Sequence, residues 1–195
     1  MRTPVKVKIC GLTRREDVEL AVELGADFLG FVLVPSSKRF VSPDRWRSLT
    51  EGLPGHVRTV AVVADPSEAE LVEIRKVFNI IQFHGSEPPE LVRGKGCWKA
   101  LCLERDYGKM EAYDVEHFVV DSSAGGSGRC CDWSLAAEAA KKFEILLAGG
   151  LTPENVAEEV RRVKPWGVDV AGGVESSPGI KSKEKLVNFM KEARK

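Results

Sequence analysis

A closed (β/α)₈ barrel forming one α/β domain is the fold this sequence predicts, on three observations. Apolar, β-branched runs recur about eight times, at a spacing of roughly 20–25 residues. Each run is followed by Gly or Asp and then by a charged, amphipathic segment. The runs are apolar on both faces more than alternating, as the strands of a buried parallel sheet are. The rival architecture, an open doubly wound sheet, usually has only about five or six strands. At 195 residues the chain is short for a barrel, whose usual length is about 250, so loops and some helices must be minimal. No linker or low-complexity stretch divides it, and residues 1–195 read as a single domain.

The first expected strand, Val5–Cys10, is followed by Thr13 and a helix over Arg14–Leu24. The second, Asp27–Val34, runs into Pro35, which cannot donate to a ladder. The third, Val57–Ala64, meets the helix-start signal Asp65-Pro66-Ser67-Glu68 before a helix over Ser67–Phe78. Strands four and five are Ile80–His84 and Trp98–Leu103, and the segment Glu104–Val115 after them is the weakest helix, with Gly108 inside it. The sixth, Phe118–Asp121, precedes a glycine-rich stretch and a helix over Ser134–Lys142. Strand seven, Ile145–Ala148, leads to Thr152-Pro153-Glu154, which places Pro at the first position of a helix over Pro153–Val163. Strand eight is Val168–Val170, and a helix over Lys183–Ala193 closes the chain.

Composition narrows the function. Lys plus Arg equals Asp plus Glu, 29 against 29, which argues against the basic excess of a nucleic-acid binder. No apolar run approaches the roughly 18 residues of a membrane span. The N-terminal Met1-Arg2-Thr3-Pro4 runs straight into a strand-like segment instead of a signal-peptide core. The five cysteines lack paired spacing, so neither a zinc site nor a disulfide framework is expected, and a reducing cytoplasm is the simplest setting.

Active sites of parallel barrels form at the carboxyl ends of the strands. Those ends carry Cys10-Gly11, Pro35 to Arg39, Asp65, His84-Gly85, Asp121, Gly149-Gly150, and Asp169 through Gly173. Two glycine pairs, Gly149-Gly150 and Gly172-Gly173, end strands seven and eight, where barrels often bind phosphate through backbone N–H groups; alone, either pair could simply make a tight turn. Cys10 is a candidate base, against the competing reading of a small buried hydrophobe. Lys8, two residues back, can either aid a thiolate or anchor elsewhere. Asp121 is a candidate acid, against a loop-capping Asp that binds the turn after it. Arg39 can hold a carboxylate with two parallel bonds, or belong with Lys38 to a solvated basic loop. His84 can orient substrate, or close its strand with a hydrogen bond. The stretch Ala124–Gly128 reads as a mobile lid or a plain flexible loop.

Together these residues resemble the phosphoribosylanthranilate isomerase family over nearly the whole chain. The matching blocks are Lys8-Ile9-Cys10-Gly11-Leu12-Thr13, Ser36-Ser37-Lys38-Arg39-Phe40-Val41 and Gln82-Phe83-His84-Gly85. They continue with Asp121-Ser122, Gly125-Gly126-Ser127-Gly128, Asp132-Trp133 and Leu147 through Val156. The last blocks are Gly167-Val168-Asp169-Val170, Gly173-Val174-Glu175 and Gly179-Ile180-Lys181. Any one block is weak, and their order and spacing are specific. The resemblance implies a TIM barrel that performs an Amadori rearrangement in tryptophan biosynthesis with no metal or cofactor. Carried onto matching positions, Asp121 protonates the ribose ring oxygen and Cys10, as thiolate, removes the C2′ proton. Arg39, His84 and Asp169 bind the substrate, and Gly149, Gly150, Gly172 and Gly173 hold its phosphate. The implied partner is this small phosphorylated anthranilate alone, with no nucleic acid or membrane, in a monomer or homodimer.

Three departures from the family stand out: Ala171-Gly172-Gly173 in place of Ser-Ser-Gly, Arg129-Cys130-Cys131 after the glycine-rich stretch, and Lys181-Ser182 in place of Lys-Asp. The last is expected to keep a helix cap, since Ser can also cap. Other phosphosugar barrels fit less well. An indole-glycerol-phosphate synthase calls for a catalytic lysine and glutamates at strand ends, and a thiamine-phosphate synthase for a magnesium site that Asp65 alone supports poorly. A non-catalytic phosphosugar-binding barrel has no use for Cys10, Asp121 and Arg39 at one mouth. A second Amadori activity on a two-phosphate substrate finds only one phosphate-site pair.

Overall fold

The computed structural model describes residues 4–121 and 133–195. Eight strands close into one barrel in chain order: β1 (Lys6–Ile9), β2 (Phe28–Val32), β3 (Arg58–Val63), β4 (Ile80–Phe83), β5 (Gly94–Cys102), β6 (Val115–Asp121), β7 (Ile145–Leu147) and β8 (Gly167–Val170). All neighbours are parallel, and β8 returns to β1 with Lys8 opposite Asp169.

The helices are α1 (Arg15–Glu23), α2 (Pro43–Thr50), α3 (Glu68–Arg75), α4 (Leu103–Asp106), α5 (Trp133–Ala139), α6 (Val156–Val163) and α7 (Lys183–Ala193). Two caps follow directly from sequence. The Ser67 hydroxyl accepts from Glu70 N–H while the Glu70 carboxylate accepts from Ser67 N–H, a reciprocal cap. Ser182 caps α7 through its hydroxyl and Lys185 N–H, so Ser does take the place of the family's Asp.

Other elements depart from expectation. Glu104–Val115 shrinks to α4 and a 3-10 turn at Tyr107–Ala112, and between β4 and β5, where the sequence offered no helix, the chain passes through turns. These are the economies that a short barrel requires. The sequence reading does not place α2, although Ser42 precedes it and Pro43 opens it. Helix α6 starts at Val156, one turn later than Pro153. The Asn155 side chain accepts from Thr152 N–H and donates to the Gly150 carbonyl, tying residues 150–155 into a loop instead of a first helical turn. A two-stranded antiparallel hairpin, β9 (Glu175–Ser177) and β10 (Ile180–Lys181), also stands outside the barrel between β8 and α7.

Strand parity decides what reaches the barrel interior. Val7, Ile9, Leu29, Phe31, Ile81, Phe83, Val168 and Val170 belong to the large core shared with the helices. A separate cluster of Phe28, Val60, Ile80, Trp98, Ala100, Val119, Leu146 and Ala148 fills the barrel, with Trp166 packed against it. By the same alternation Lys8 and Cys10, Gly30, Gln82 and His84, Cys102, Asp121 and Asp169 face inward. The polar inward residues gather toward the carboxyl ends.

Candidate active site

Cys10 follows β1 and is only 7% exposed, its N–H donating to the Val170 carbonyl at 2.8 Å. Lys8, one inward step below it, is fully buried, and its Nζ donates to Asp169 Oδ1 at 3.0 Å. Gly30 makes room for both. A Cβ there would lie 2.9 Å from Cys10 Sγ and 3.1 Å from Lys8 Cε. Burial pushes the Cys10 thiol above its ordinary pKa, and the Lys8 ammonium opposes that rise. For Lys8 itself burial pulls downward, but Asp169 and Cys10 outweigh it and leave the ammonium above the usual lysine range.

Arg39 reaches the mouth from the loop after β2, its stem crossing so close to Gly11 that a Cβ there would collide with Arg39 Cδ. Its Nε and Nη2 donate to the two oxygens of Glu175 at 2.8 and 2.6 Å. The fork that can take a bidentate carboxylate is therefore held by the protein along one edge, and its end-on Nη1/Nη2 edge is the one left to a ligand. Glu175 Oε1 also accepts from Lys181 Nζ at 3.0 Å, and the same ammonium donates to the Cys10 carbonyl at 2.6 Å and the Ala171 carbonyl at 3.1 Å. The hairpin thus ties the backbone of Cys10 to the guanidinium of Arg39. Glu175 is held below the usual carboxylate range: burial raises it, but Arg39 and Lys181 together outweigh that.

Across the barrel, His84 is exposed above β4 and Asp121 is half-buried at the end of β6. Both line a cavity of about 490 Å³ that extends to Lys99, Arg105, Lys109 and Tyr113. Crowding by the walls of the mouth lowers the His84 imidazole pKa, with Asp121 pulling it back up. The floor of this cavity is fixed by a buried ion pair. Lys99 Nζ donates to Glu87 Oε2 at 2.7 Å and to the Gly85 carbonyl at 2.8 Å, and Glu87 Oε1 accepts from the N–H groups of Asp65 and Gly85. This clamp replaces the missing helix after β4.

The two glycine pairs meet. Gly149 and Gly150 adopt φ of +84° and +71°, a left-handed backbone that other residues rarely take. Gly172 and Gly173 begin a 3-10 turn running to Val174, and a Cβ on Gly173 would collide with the Leu151 carbonyl oxygen. The loops after β7 and β8 are therefore in backbone contact, as one anion cradle requires.

The structure thus brings Cys10, Arg39, His84, Asp121, Asp169 and the four glycines to one end of one barrel. Asp169 differs from expectation in its setting: it is 9% exposed and paired with Lys8. The stretch Ala124–Gly128 and Cys130 and Cys131 lie outside the described residues. Sequence reasoning left Lys8 open, named Glu175 and Lys181 only within the blocks of the resemblance and without a role, and passed over Gly30 and the Lys99–Glu87 pair. Gly30 had a signal, since a glycine inside an apolar strand marks a close approach. Among the described residues, no group of His, Cys, Asp or Glu side chains is placed to hold a metal ion, and no helix is long and apolar enough to cross a membrane.

Residues 7–192 match the family model of N-(5′-phosphoribosyl)anthranilate (PRA) isomerase. An N-(5′-phosphoribosyl)anthranilate isomerase of Pelobacter propionicus is 40% identical over 200 residues, 97% of this chain and 96% of the relative. The crystal structure of phosphoribosyl anthranilate isomerase from Thermotoga maritima superposes with a TM-score of 0.86 at 36% identity, covering 97% of this chain and 98% of that one. A crystal structure of such an isomerase in complex with reduced 1-(o-carboxyphenylamino)-1-deoxyribulose 5-phosphate superposes with a TM-score of 0.83 at 35% identity, with the same coverage.

Proposed function

The chain belongs to the N-(5′-phosphoribosyl)anthranilate isomerase family, and from that premise we propose that Cys10 is the base and Asp121 the acid of its reaction. The enzyme converts N-(5′-phosphoribosyl)anthranilate to 1-(2-carboxyphenylamino)-1-deoxyribulose 5-phosphate in tryptophan biosynthesis, an Amadori rearrangement.

Asp121, as the carboxylic acid, donates its proton to the ribose ring oxygen. The C1′–O bond breaks and the anilino nitrogen lone pair forms a C1′=N iminium, leaving a carboxylate. The Cys10 thiolate then takes the C2′ proton. The electrons of that C–H bond become a C1′=C2′ double bond, and the nitrogen regains its lone pair. The resulting enolamine becomes the ketone by losing its hydroxyl proton and gaining one at C1′. Solvent then returns a proton to Asp121 and accepts the one on Cys10, which restores the starting enzyme. Arg39 directs its end-on edge to the anthranilate carboxylate, His84 and Asp169 flank the substrate, and Gly149, Gly150, Gly172 and Gly173 hold its phosphate.

One observation carries this reading. The glycine loops after β7 and β8 lie between the strand that ends in the acid, β6, and the strand that leads to the base, β1. A phosphate anchored there leaves the sugar spanning the two groups. A reducing cytoplasm, which keeps Cys10 a thiol, is the setting we assign, for a monomer or homodimer.

The test is Cys10→Ala and Asp121→Asn, each followed by loss of substrate fluorescence. Each should cut kcat by about 10³-fold or more while circular dichroism and product binding persist, and near wild-type turnover in either variant overturns the role given to that residue. The competent form carries a protonated Asp121 and an ionised Cys10, so kcat/KM should follow a bell whose alkaline limb falls beyond the raised Cys10 pKa. A profile with no alkaline limb there contradicts Cys10 as the base.

A further inference from the structure

The isomerisation steps leave the most deeply buried charge at the mouth unused. Lys8 is fully buried in the barrel interior, between Phe28 on β2 and Asp169 on β8 in the strand register and above a cluster that is otherwise apolar. Packing alone does not call for a cation there: a buried ion pair is often no more stable than an apolar pair of the same volume. Its placement has a second feature. Lys8 and Cys10 converge over the missing side chain of Gly30, with the Lys8 stem and the Cys10 sulfur each about 3 Å from the place where a Cβ would stand.

We propose that Lys8 is a positioning residue for the base, its ammonium held by Asp169 and its charge stabilising the Cys10 thiolate; this rests on the reading of Cys10 as that base. Among the described residues, the charged groups facing Cys10 come from four elements. Lys8 is on β1, Asp169 on β8, Lys181 on β10, and Arg39 on the loop after β2. Lys181 directs its Nζ to the Cys10 carbonyl and Glu175, and Arg39 is paired with Glu175. Lys8 exerts the largest downward pull on the thiol, against burial and Asp169, which both push it up. Lys8 also keeps its proton, because Asp169 and Cys10 outweigh the burial that would strip it. The pair is therefore a fixed dipole with its positive end toward the sulfur. Such an arrangement needs no reorganisation when the thiolate forms.

The experiment measures the thiolate directly, without turnover. Folded protein is alkylated with iodoacetamide across a pH series, and modification of the Cys10 peptide is followed by mass spectrometry. Lys8→Gln should move the Cys10 midpoint up by about one pH unit and lower kcat about tenfold at neutral pH with KM little changed. Asp169→Asn should move the midpoint in the opposite direction. Opposite shifts are not the signature of a loosened barrel, and Lys8→Met, which keeps the buried stem without the charge, should give the same upward shift if Lys8→Gln does not fold. A Cys10 midpoint unmoved by either substitution, or moved the same way by both, overturns the role of Lys8. That outcome leaves the base assignment standing, whereas an active Cys10→Ala enzyme removes the base assignment without touching the alkylation result.

Discussion

The two ends of the barrel are filled on opposite principles. The amino end is an aromatic plug. Trp98 meets Phe28 edge-on at 4.9 Å between ring centroids, His117 stacks on Trp166 at 3.8 Å, and Trp98 meets His117 edge-on at 5.4 Å. Even the polar atoms there are given over to packing: among the described residues, Trp98 Nε1 is buried with no hydrogen-bond partner. The carboxyl end holds a lysine, a thiol and carboxylates within a few ångströms, cross-tied by Glu175 and Lys181. Both ends share one closed sheet, so stability and chemistry are separated along its axis and not between domains. Stability resides where water is excluded by rings, and chemistry where charges are held by partners.

That division can be broken by substitutions beyond the acid and base. The largest effect is expected at the plug. Trp98→Ala should cost about 3–5 kcal/mol in urea unfolding, with kcat near wild type at a temperature where the variant stays folded. A large fall in kcat with stability unchanged would erase the distinction between the ends. Next comes the mouth. Gly173→Ala puts a methyl against the Leu151 carbonyl and forces the two glycine loops apart. Losing hydrogen bonds to a charged phosphate is worth roughly 1.5–3 kcal/mol, so KM should rise at least about tenfold while kcat changes less. Unchanged KM in steady-state kinetics would remove these loops from the phosphate site.

The smallest effect sharpens the comparison through pH. Burial lowers the His117 imidazole pKa, with Glu144 3.4 Å from Nδ1 but without hydrogen-bond geometry. The unfolded chain binds that proton near pH 6.5 and the native plug resists it, so this stabilisation is full above about pH 6.5 and is lost as pH falls. His117→Phe should therefore narrow the difference in urea midpoint between pH 7.5 and pH 5.5. An unaltered difference would mean that His117 titrates alike in both states.

Much of this molecule was legible in advance, for identifiable reasons. Fully buried strands must be apolar on both faces, so all eight could be placed from their runs, and the turn residues after them marked the mouth. Cys10, His84, Asp121 and Asp169 each stand at or beside a strand end, which put them on the rim without knowledge of their neighbours. The helices were less legible where local hydrogen bonding competes with helical propensity. Asn155 delays α6 by its bonds to Thr152 and Gly150, and the Glu87 clamp stands where a helix after β4 would be.

The barrel and the set of groups facing its mouth were already written in the chain, because side-chain parity and the spacing of apolar runs are local properties. Which of those groups meet followed from long-range contacts alone. Lys8 and Asp169 are 161 residues apart, and Arg39 and Glu175 are 136 apart. They are neighbours because β8 closes against β1 and the β9–β10 hairpin brings Glu175 to Arg39. The physical reason is barrel closure, which sets the pairing of β8 with β1 and so turns an anonymous buried lysine into the cation beneath Cys10.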